Sequence, residues 1–116
     1  MTTISNPGGT PSVTYNREGV AIDHFTVSTG YGTIVRYSGH TIAVINFNGS
    51  LASGVYMPDD AEIGDIVEVY DQQNETMPLY PESGGEINGH GVDTPITVGH
   101  ARFVRTSSGK WFGIYN

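Results

Sequence analysis

Short runs in which apolar and polar residues alternate, separated by polar or glycine-rich turns, make up most of the chain. Alternation with a period of two is typical of β-strands that bury one face. No window carries the apolar spacing of a helix of three or more turns. We therefore predict an all-β fold, a small β-sandwich or barrel of short antiparallel strands with an extended N-terminal arm.

The segment 58–88 predicts a strand, a turn and a returning strand. Residues 66–70, IVEVY, alternate, and the polar residues 71–74 predict the turn. Residues 77–81, MPLYP, then predict the strand that comes back. Nothing in this segment has the pattern of an active site.

The first strand of the domain is predicted at 20–28, VAIDHFTVS. Its apolar residues do not keep a strict period of two, so we expect a bulge near Asp23-His24. The glycines in 30–32 predict a turn, and a further strand is predicted at 33–37.

The strongest strand prediction is 40–47, HTIAVINF, which is apolar on both faces and therefore predicts a strand covered on both sides. Asn48-Gly49 predicts a hairpin, because a type I′ turn needs positive φ at both central positions. The return strand is predicted at 51–57. Residues 101–106 and 110–115 predict the last two strands, with the final one tied into the sheet.

Residues 1–19 predict a flexible N-terminal arm in front of a single β domain at 20–116. Their prolines and glycines prevent a helix and disfavour a central strand. Two readings stay open: a disordered terminus, or an arm that adds a strand to the exposed sheet edge of a partner. The β-forming piece that suits the second reading is Val13-Thr14-Tyr15.

The charge balance limits the possible partners of this chain. It has 116 residues, a formal net charge of −7 and a pI of about 4.7. Such a chain repels phosphate backbones and anionic membrane surfaces, so neither nucleic acid nor membrane is an expected partner. It has no cysteine, which excludes disulfides and thiolate chemistry.

No group of residues predicts catalysis, a metal or another cofactor. The four acids at 59–65 do not have the spacing of a calcium loop, and a solvated turn explains them. The four histidines lack close metal-ligand spacing. The tyrosines and the single tryptophan are expected mostly in the core and at subunit interfaces, with a sugar-binding groove as the alternative. We expect a protein that is not an enzyme.

Several pieces of the second half resemble a module of bacteriophage virion proteins, namely head decoration (cement) proteins, head fibres and tail-fibre segments. The matching pieces span about half of the chain, and they are PDDA at 58–61, GDIVEV at 64–69, LYP at 79–81, GGEING at 84–89, ARFV at 101–104 and SSGKW at 107–111.

The resemblance implies a capsid decoration protein, made in the host cytoplasm and located on the outer surface of the virion. Such a protein would be a homotrimer that binds the major capsid protein at capsomer junctions and stabilises the shell. The alternative is a tail-fibre or baseplate module that binds a host receptor or glycan. The residues expected to contact the capsid lie in the arm: Ile4, Pro7, Pro11, Val13 and Tyr15.

Overall fold

The computed structural model describes residues 2–5, 12–49, 52–73 and 76–116. These residues form twelve strands and no helix, which confirms the all-β prediction, and they contain no helix that could cross a membrane. The strands are β1 (Thr2–Ser5), β2 (Ser12–Tyr15), β3 (Ala21–Val27), β4 (Tyr31–Thr33), β5 (His40–Phe47), β6 (Gly54–Tyr56), β7 (Ile66–Asp71), β8 (Met77–Tyr80), β9 (Glu86–Ile87), β10 (Ile96–Val98), β11 (His100–Ser107) and β12 (Lys110–Tyr115).

The strands lie in two mixed sheets. The large sheet has the order β1-β2-β3-β5-β7-β11-β12-β9, and the small sheet has the order β10-β8-β6-β4. From β3 to β8 the chain alternates between the sheets, so that β3, β5 and β7 pair in parallel, as do β4, β6 and β8. Two parallel strands that are adjacent in a sheet need a crossover connection between them. In this fold each such connection includes a strand of the opposite sheet. The prediction of antiparallel strands is therefore wrong for this half of the fold.

Two predicted hairpins are absent for the same reason. The segment 58–88 does contain a strand, a turn and a strand, but β7 joins the large sheet and β8 joins the small one. Likewise β5 and β6 lie in different sheets, and neither Asn48 nor Gly49 has the positive φ of a type I′ turn. Gly49 instead allows close packing, because a Cβ there would lie 2.7 Å from the Cβ of Ser53.

Antiparallel strands close both ends of the parallel region of the large sheet. At one end β2 pairs with β3, and β1 pairs with β2. At the other end β11 pairs with β7, and β12 pairs with β11. Residues 2–5 and 12–15, within the span predicted as an arm, are thus the outermost strands of the chain's own sheet. Backbone bonds between Asn116 and His100 tie the last strand into the sheet, as expected.

One hydrophobic core is formed by buried residues from both sheets. Trp111, Phe103 and Ile45 come from the large sheet, and Val55 and Leu79 come from the small one. Alternation along each strand explains the arrangement, since residues two apart share a face. Strand β5 follows the prediction only in part, because one of its faces is buried and the other is half-buried.

Strand β3 has no bulge, contrary to the prediction. Its register with β5 runs without a shift from Ala21 to Val27. The apolar pattern breaks because Asp23 occupies an inward position, where it is fully buried. Both of its carboxylate oxygens lack a hydrogen-bond partner in the part of the chain that the structure describes.

The turn predicted at 30–32 and the strand predicted at 33–37 are both displaced. The strand is β4, Tyr31–Thr33, and residues 34–37 are irregular. The glycine that suggested a turn, Gly32, is needed for packing, because a Cβ there would lie 2.7 Å from Cγ2 of Val27. This shift moves Tyr31 from a turn to a strand on the outer face of the small sheet.

Candidate functional site

Three of the residues predicted to contact a capsid, Ile4, Val13 and Tyr15, lie in the two strands at one end of the large sheet. Ile4 is in β1, whereas Pro7 and Pro11 lie outside the described residues. Val13 is buried opposite Asp23 of β3, and the half-buried Tyr15 donates a hydrogen bond to the carbonyl of Tyr37 at 3.5 Å. Val13 and Tyr15 therefore contact the chain's own fold, and among the described strands β1 is at the edge of the large sheet.

The acidic turn at 59–65 forms ion pairs with Arg36, which lies in the segment after β4. Arg36 donates to Asp65 at 2.5 Å through Nε and to Glu62 at 3.2 Å. The hydrogen bond from Arg36 lowers the pKa of the Asp65 carboxyl, despite its partial burial. Asp65 also accepts from the backbone N–H of Glu62 at 2.8 Å, so its role is to hold the turn.

The four histidines do not converge on a common point. His24 and His100 are exposed on the large sheet, and His40 bonds to Glu68 on the neighbouring strand. His90 lies 3.5 Å from the hydroxyl of Tyr115. Across the described ranges there is no group of three or more histidines and acids placed to hold a metal ion.

The outer face of the large sheet carries an apolar surface that we call the outer patch. It crosses β7, β11 and β12 and consists of Ile66, Tyr70, Arg102, Val104, Phe112 and Ile114. Ile114 is 77% exposed and Phe112 is 45% exposed. Their chain neighbour Trp111 points into the core, so alternation along β12 turns Phe112 outward.

Polar groups on β5 and β7 interrupt the outer patch, since Glu68 lies between Ile66 and Tyr70 and opposite Arg102. Glu68 contacts the imidazole of His40 and accepts a hydrogen bond from the Tyr70 hydroxyl at 2.9 Å. Burial opposes ionisation of Glu68, but the bonds from His40 and Tyr70 outweigh it and lower the pKa of its carboxyl. Tyr70 is also stacked on His100, with ring centroids 6.5 Å apart.

Strand β12 is held tightly beneath the outer patch. Gly113 lies so close to β11 that a Cβ would be 1.8 Å from the carbonyl oxygen of Arg102. On its other side, the side-chain amide of Asn88 accepts from the N–H of Gly113 at 2.9 Å and donates to its carbonyl at 3.1 Å. These contacts fix the strand that presents Phe112 and Ile114.

A second aromatic surface lies on the outer face of the small sheet. Three parallel strands each contribute one tyrosine to it: Tyr31 from β4, Tyr56 from β6 and Tyr80 from β8. The rings of Tyr56 and Tyr80 stack with centroids 5.0 Å apart, and Tyr31 lies 5.5 Å and 5.6 Å from them. The hydrogen bond with Tyr31, together with partial burial, raises the pKa of Tyr80.

Next to these rings is a cavity of about 470 Å³. We use the name tyrosine cleft for this cavity together with the adjacent ring of Tyr31. The residues that line the cavity are Thr33, Tyr56, Met57, Asp59, Tyr80, Glu82, Ser83 and Asp93. Asp93 has a positive φ of 58° and accepts from the N–H of Gly84 at 2.7 Å through Oδ1.

A buried network fixes one wall of the tyrosine cleft. Glu82 accepts from Arg105 at 2.8 Å and from the indole N–H of Trp111 at 3.0 Å, so both of its oxygens are engaged. Arg105 also donates to the carbonyl of Ala61. All three polar side chains are buried, and Arg105 points inward as its place in the alternation of β11 predicts.

Sequence reasoning found the candidate aromatics but not their grouping. The register places Thr33 beside Tyr56 and Tyr56 beside Tyr80, at spacings of 23 and 24 residues. The near-equal spacing of these residues was a signal of their grouping in the sequence. It was hard to recognise, because the residue types around them do not repeat. The sequence alone therefore did not reveal the grouping, and most tyrosines were expected in the core or at subunit interfaces.

A scan against protein-family models finds none that matches the chain, and a search of curated proteins finds no similar sequence. The class that the fold defines is an all-β protein whose two mixed sheets share one core. Function has to be argued from its surfaces.

Proposed function

We propose that this protein is a bacteriophage head decoration protein, a homotrimer that binds the major capsid protein on the outer surface of the shell. The observation that carries the proposal is the outer patch, together with the resemblance of residues 58–111 to virion modules. An exposed apolar surface that crosses three strands is typical of a protein-protein contact.

A second copy of the same chain is the occupant that suits the outer patch. The rest of the molecule is strongly acidic, with a net charge of −7. Arg102 lies within the outer patch and forms no ion pair within the described residues. Arg102 lies opposite Glu68 of β7 and Ile114 of β12 in the sheet. Its positive charge complements the acidic surface of another copy, and a head-to-tail contact closes into a trimeric ring when its rotation is three-fold.

Binding to the capsid is assigned to the N-terminal hairpin of β1 and β2, in agreement with the arm residues named from the sequence. Strand β1 is the outermost strand of the large sheet, and within the described residues one row of its backbone groups has no strand beside it. Such an edge accepts an additional strand through main-chain hydrogen bonds. The large sheet would then be continuous with a strand of the major capsid protein.

The association step can be tested by sedimentation velocity. The wild-type protein should sediment at about 37 kDa, three times the 12.4 kDa chain. The double variant Phe112→Ser, Ile114→Ser should sediment as a monomer, because it removes the most exposed apolar area of the outer patch.

The matched control is Ile63→Ser, since Ile63 is 70% exposed but lies outside the outer patch. This control should stay trimeric. A wild-type protein that is monomeric at concentrations above those on a decorated head would contradict the proposal, and so would a trimer that the double variant does not disturb.

A further inference from the structure

We propose that the tyrosine cleft binds a neutral sugar, such as the end of an uncharged glycan chain. This site is separate from the outer patch, because the cleft lies on the outer face of the small sheet. The proposal rests on the chemistry and the shape of the cleft and does not depend on the decoration function.

The aromatic part of the cleft offers a stacking surface. Tyr31 is 52% exposed, and Tyr56 and Tyr80 are half-buried beside it. The face of an aromatic ring is electron-rich, and the C–H groups on one face of a sugar ring carry partial positive charge. A sugar ring placed on these tyrosines would therefore gain both contact area and electrostatic attraction.

The polar part of the cleft offers hydrogen-bond acceptors for hydroxyl groups. Asp59 is exposed and has no hydrogen bond within the described residues, and Asp93 uses only Oδ1 in the contact with Gly84. An ionised carboxylate accepts through both oxygens, so free acceptor positions face the cavity. The hydroxyls of Thr33 and Ser83 add groups that both donate and accept.

The charge of the cleft favours a neutral ligand over an anionic one. Three carboxylates line the cavity, and the nearby cation, Arg105, is buried in its pair with Glu82. A phosphate, a sulfate or an acidic sugar would therefore meet repulsion without a compensating partner. A neutral sugar avoids this cost and still uses the carboxylates as acceptors.

The cleft is preorganised for binding. The engaged oxygens of Glu82 fix the loop that carries Ser83. Gly54 leaves room for the ring of Tyr80, because a Cβ at that position would lie 2.8 Å from Cε1 of the ring. A rigid wall and a ring in a fixed position lower the entropic cost of binding. A cavity of about 470 Å³ also falls within the size range of small-molecule sites.

The test is saturation-transfer-difference NMR on the full chain with three neutral trisaccharides, maltotriose, cellotriose and chitotriose, at millimolar concentration. Transfer to the ring C–H protons of at least one of them is expected. Tyr31→Ala should weaken that binding about tenfold, because it removes one exposed stacking ring. Asp59→Ala should weaken it as well, by removing an acceptor.

Two matched controls keep the test specific. Tyr70→Ala removes a tyrosine of comparable exposure from the outer patch, and Asp60→Ala removes the acid beside Asp59 that does not line the cavity. Both should bind the sugar as the wild type does. Because Tyr70 belongs to the outer patch, its variant also separates a failure of the sugar site from a failure of trimer formation.

Three results would overturn the proposal. The first is the absence of transfer to all three trisaccharides. The second is equal binding by the wild type and by Tyr31→Ala. The third is binding of tetramethylammonium in the cleft without binding of any sugar, which would identify the tyrosines and acids as a cation site.

Discussion

Replacing Asp23 by asparagine should make the protein more stable at pH 8 and leave it nearly unchanged at pH 4. Asp23 is fully buried between Val13 of β2 and Ala43 of β5, and neither neighbour can bond to a carboxylate. Burial raises the pKa of Asp23 from the ordinary value of 3.8 to about 6, and the neighbouring backbone N–H of His24, which is not placed to form a full hydrogen bond, offsets only part of the rise.

The sign of the effect follows from the raised pKa. Below pH 3.8 the carboxyl is neutral in both the folded and the unfolded chain, so Asp23 has no ionisation penalty. Between pH 3.8 and about 6 the unfolded chain has released the proton while the folded chain still holds it, so the free energy of unfolding falls across this range. The loss of stability is complete above that range.

The magnitude follows from the same two values. The difference between about 6 and 3.8 is about two pH units, and each unit corresponds to about 1.4 kcal/mol. Ionisation of Asp23 therefore lowers the free energy of unfolding of the wild type by about 3 kcal/mol at pH 8. Asparagine has nearly the same shape and no charge, so its variant lacks this loss.

Urea denaturation from pH 4 to pH 8, followed by the fluorescence of the single, buried Trp111, measures the effect. The readout is the pH dependence of the difference in free energy of unfolding between Asp23→Asn and the wild type. The unpaired buried amide adds a cost to the variant, but this cost does not change with pH. Asp60→Asn, in an exposed turn, serves as the control and should show no such change. A difference that is constant from pH 4 to pH 8 would refute the reasoning.

Two further substitutions test the packing beneath the proposed sites. Glu82→Gln should lower the free energy of unfolding by about 3 kcal/mol, because it removes the charge that compensates the buried Arg105. In the same urea titration the control Glu86→Gln, which breaks a surface ion pair, should lower it by less than about 1 kcal/mol. Equal losses for the two variants would contradict the role of Glu82 as the partner of Arg105. Gly113→Ala should lower the melting temperature by several degrees, because a Cβ there meets the carbonyl of β11. Gly39→Ala, where the nearest atom is 3.4 Å from the added Cβ, should change it little, and similar melting temperatures for the two variants would count against the close approach.

The class of the fold could be predicted from the sequence because alternation is a local property. Residues 101–106 show this most clearly, since Ala101, Phe103 and Arg105, which alternation puts on one face, are all buried. The prediction succeeded there because an antiparallel strand with one face in the core alternates strictly.

The order of the strands could not be predicted, because turn signals are local and do not reveal which sheet the next strand joins. Asn48-Gly49 is a strong hairpin signal, yet β6 leaves β5 and pairs with β4 and β8. The polar residues after β7 likewise lead to the other sheet. The connections from β5 to β6 and from β7 to β8 are distinguished from hairpins only by the parallel pairing of these strands, each within its own sheet. That pairing depends on contacts between residues distant in sequence.

The candidate sites were predictable in composition but not in place. The tyrosines were named as possible sugar-binding residues, and three of them meet because β4, β6 and β8 are neighbours in the small sheet. Asp23 was noticed as a break in the pattern but attributed to a bulge. A bulge and a buried carboxylate break the alternation in the same way, and only the register separates them.

The measurement that tests the central claim most directly is co-sedimentation of the purified protein with phage heads, comparing immature with expanded heads. The account predicts binding to expanded heads only, because expansion of the lattice creates the junctions that a decoration protein recognises. Binding to host cells without binding to either kind of head would contradict it and would favour the tail-fibre or baseplate alternative.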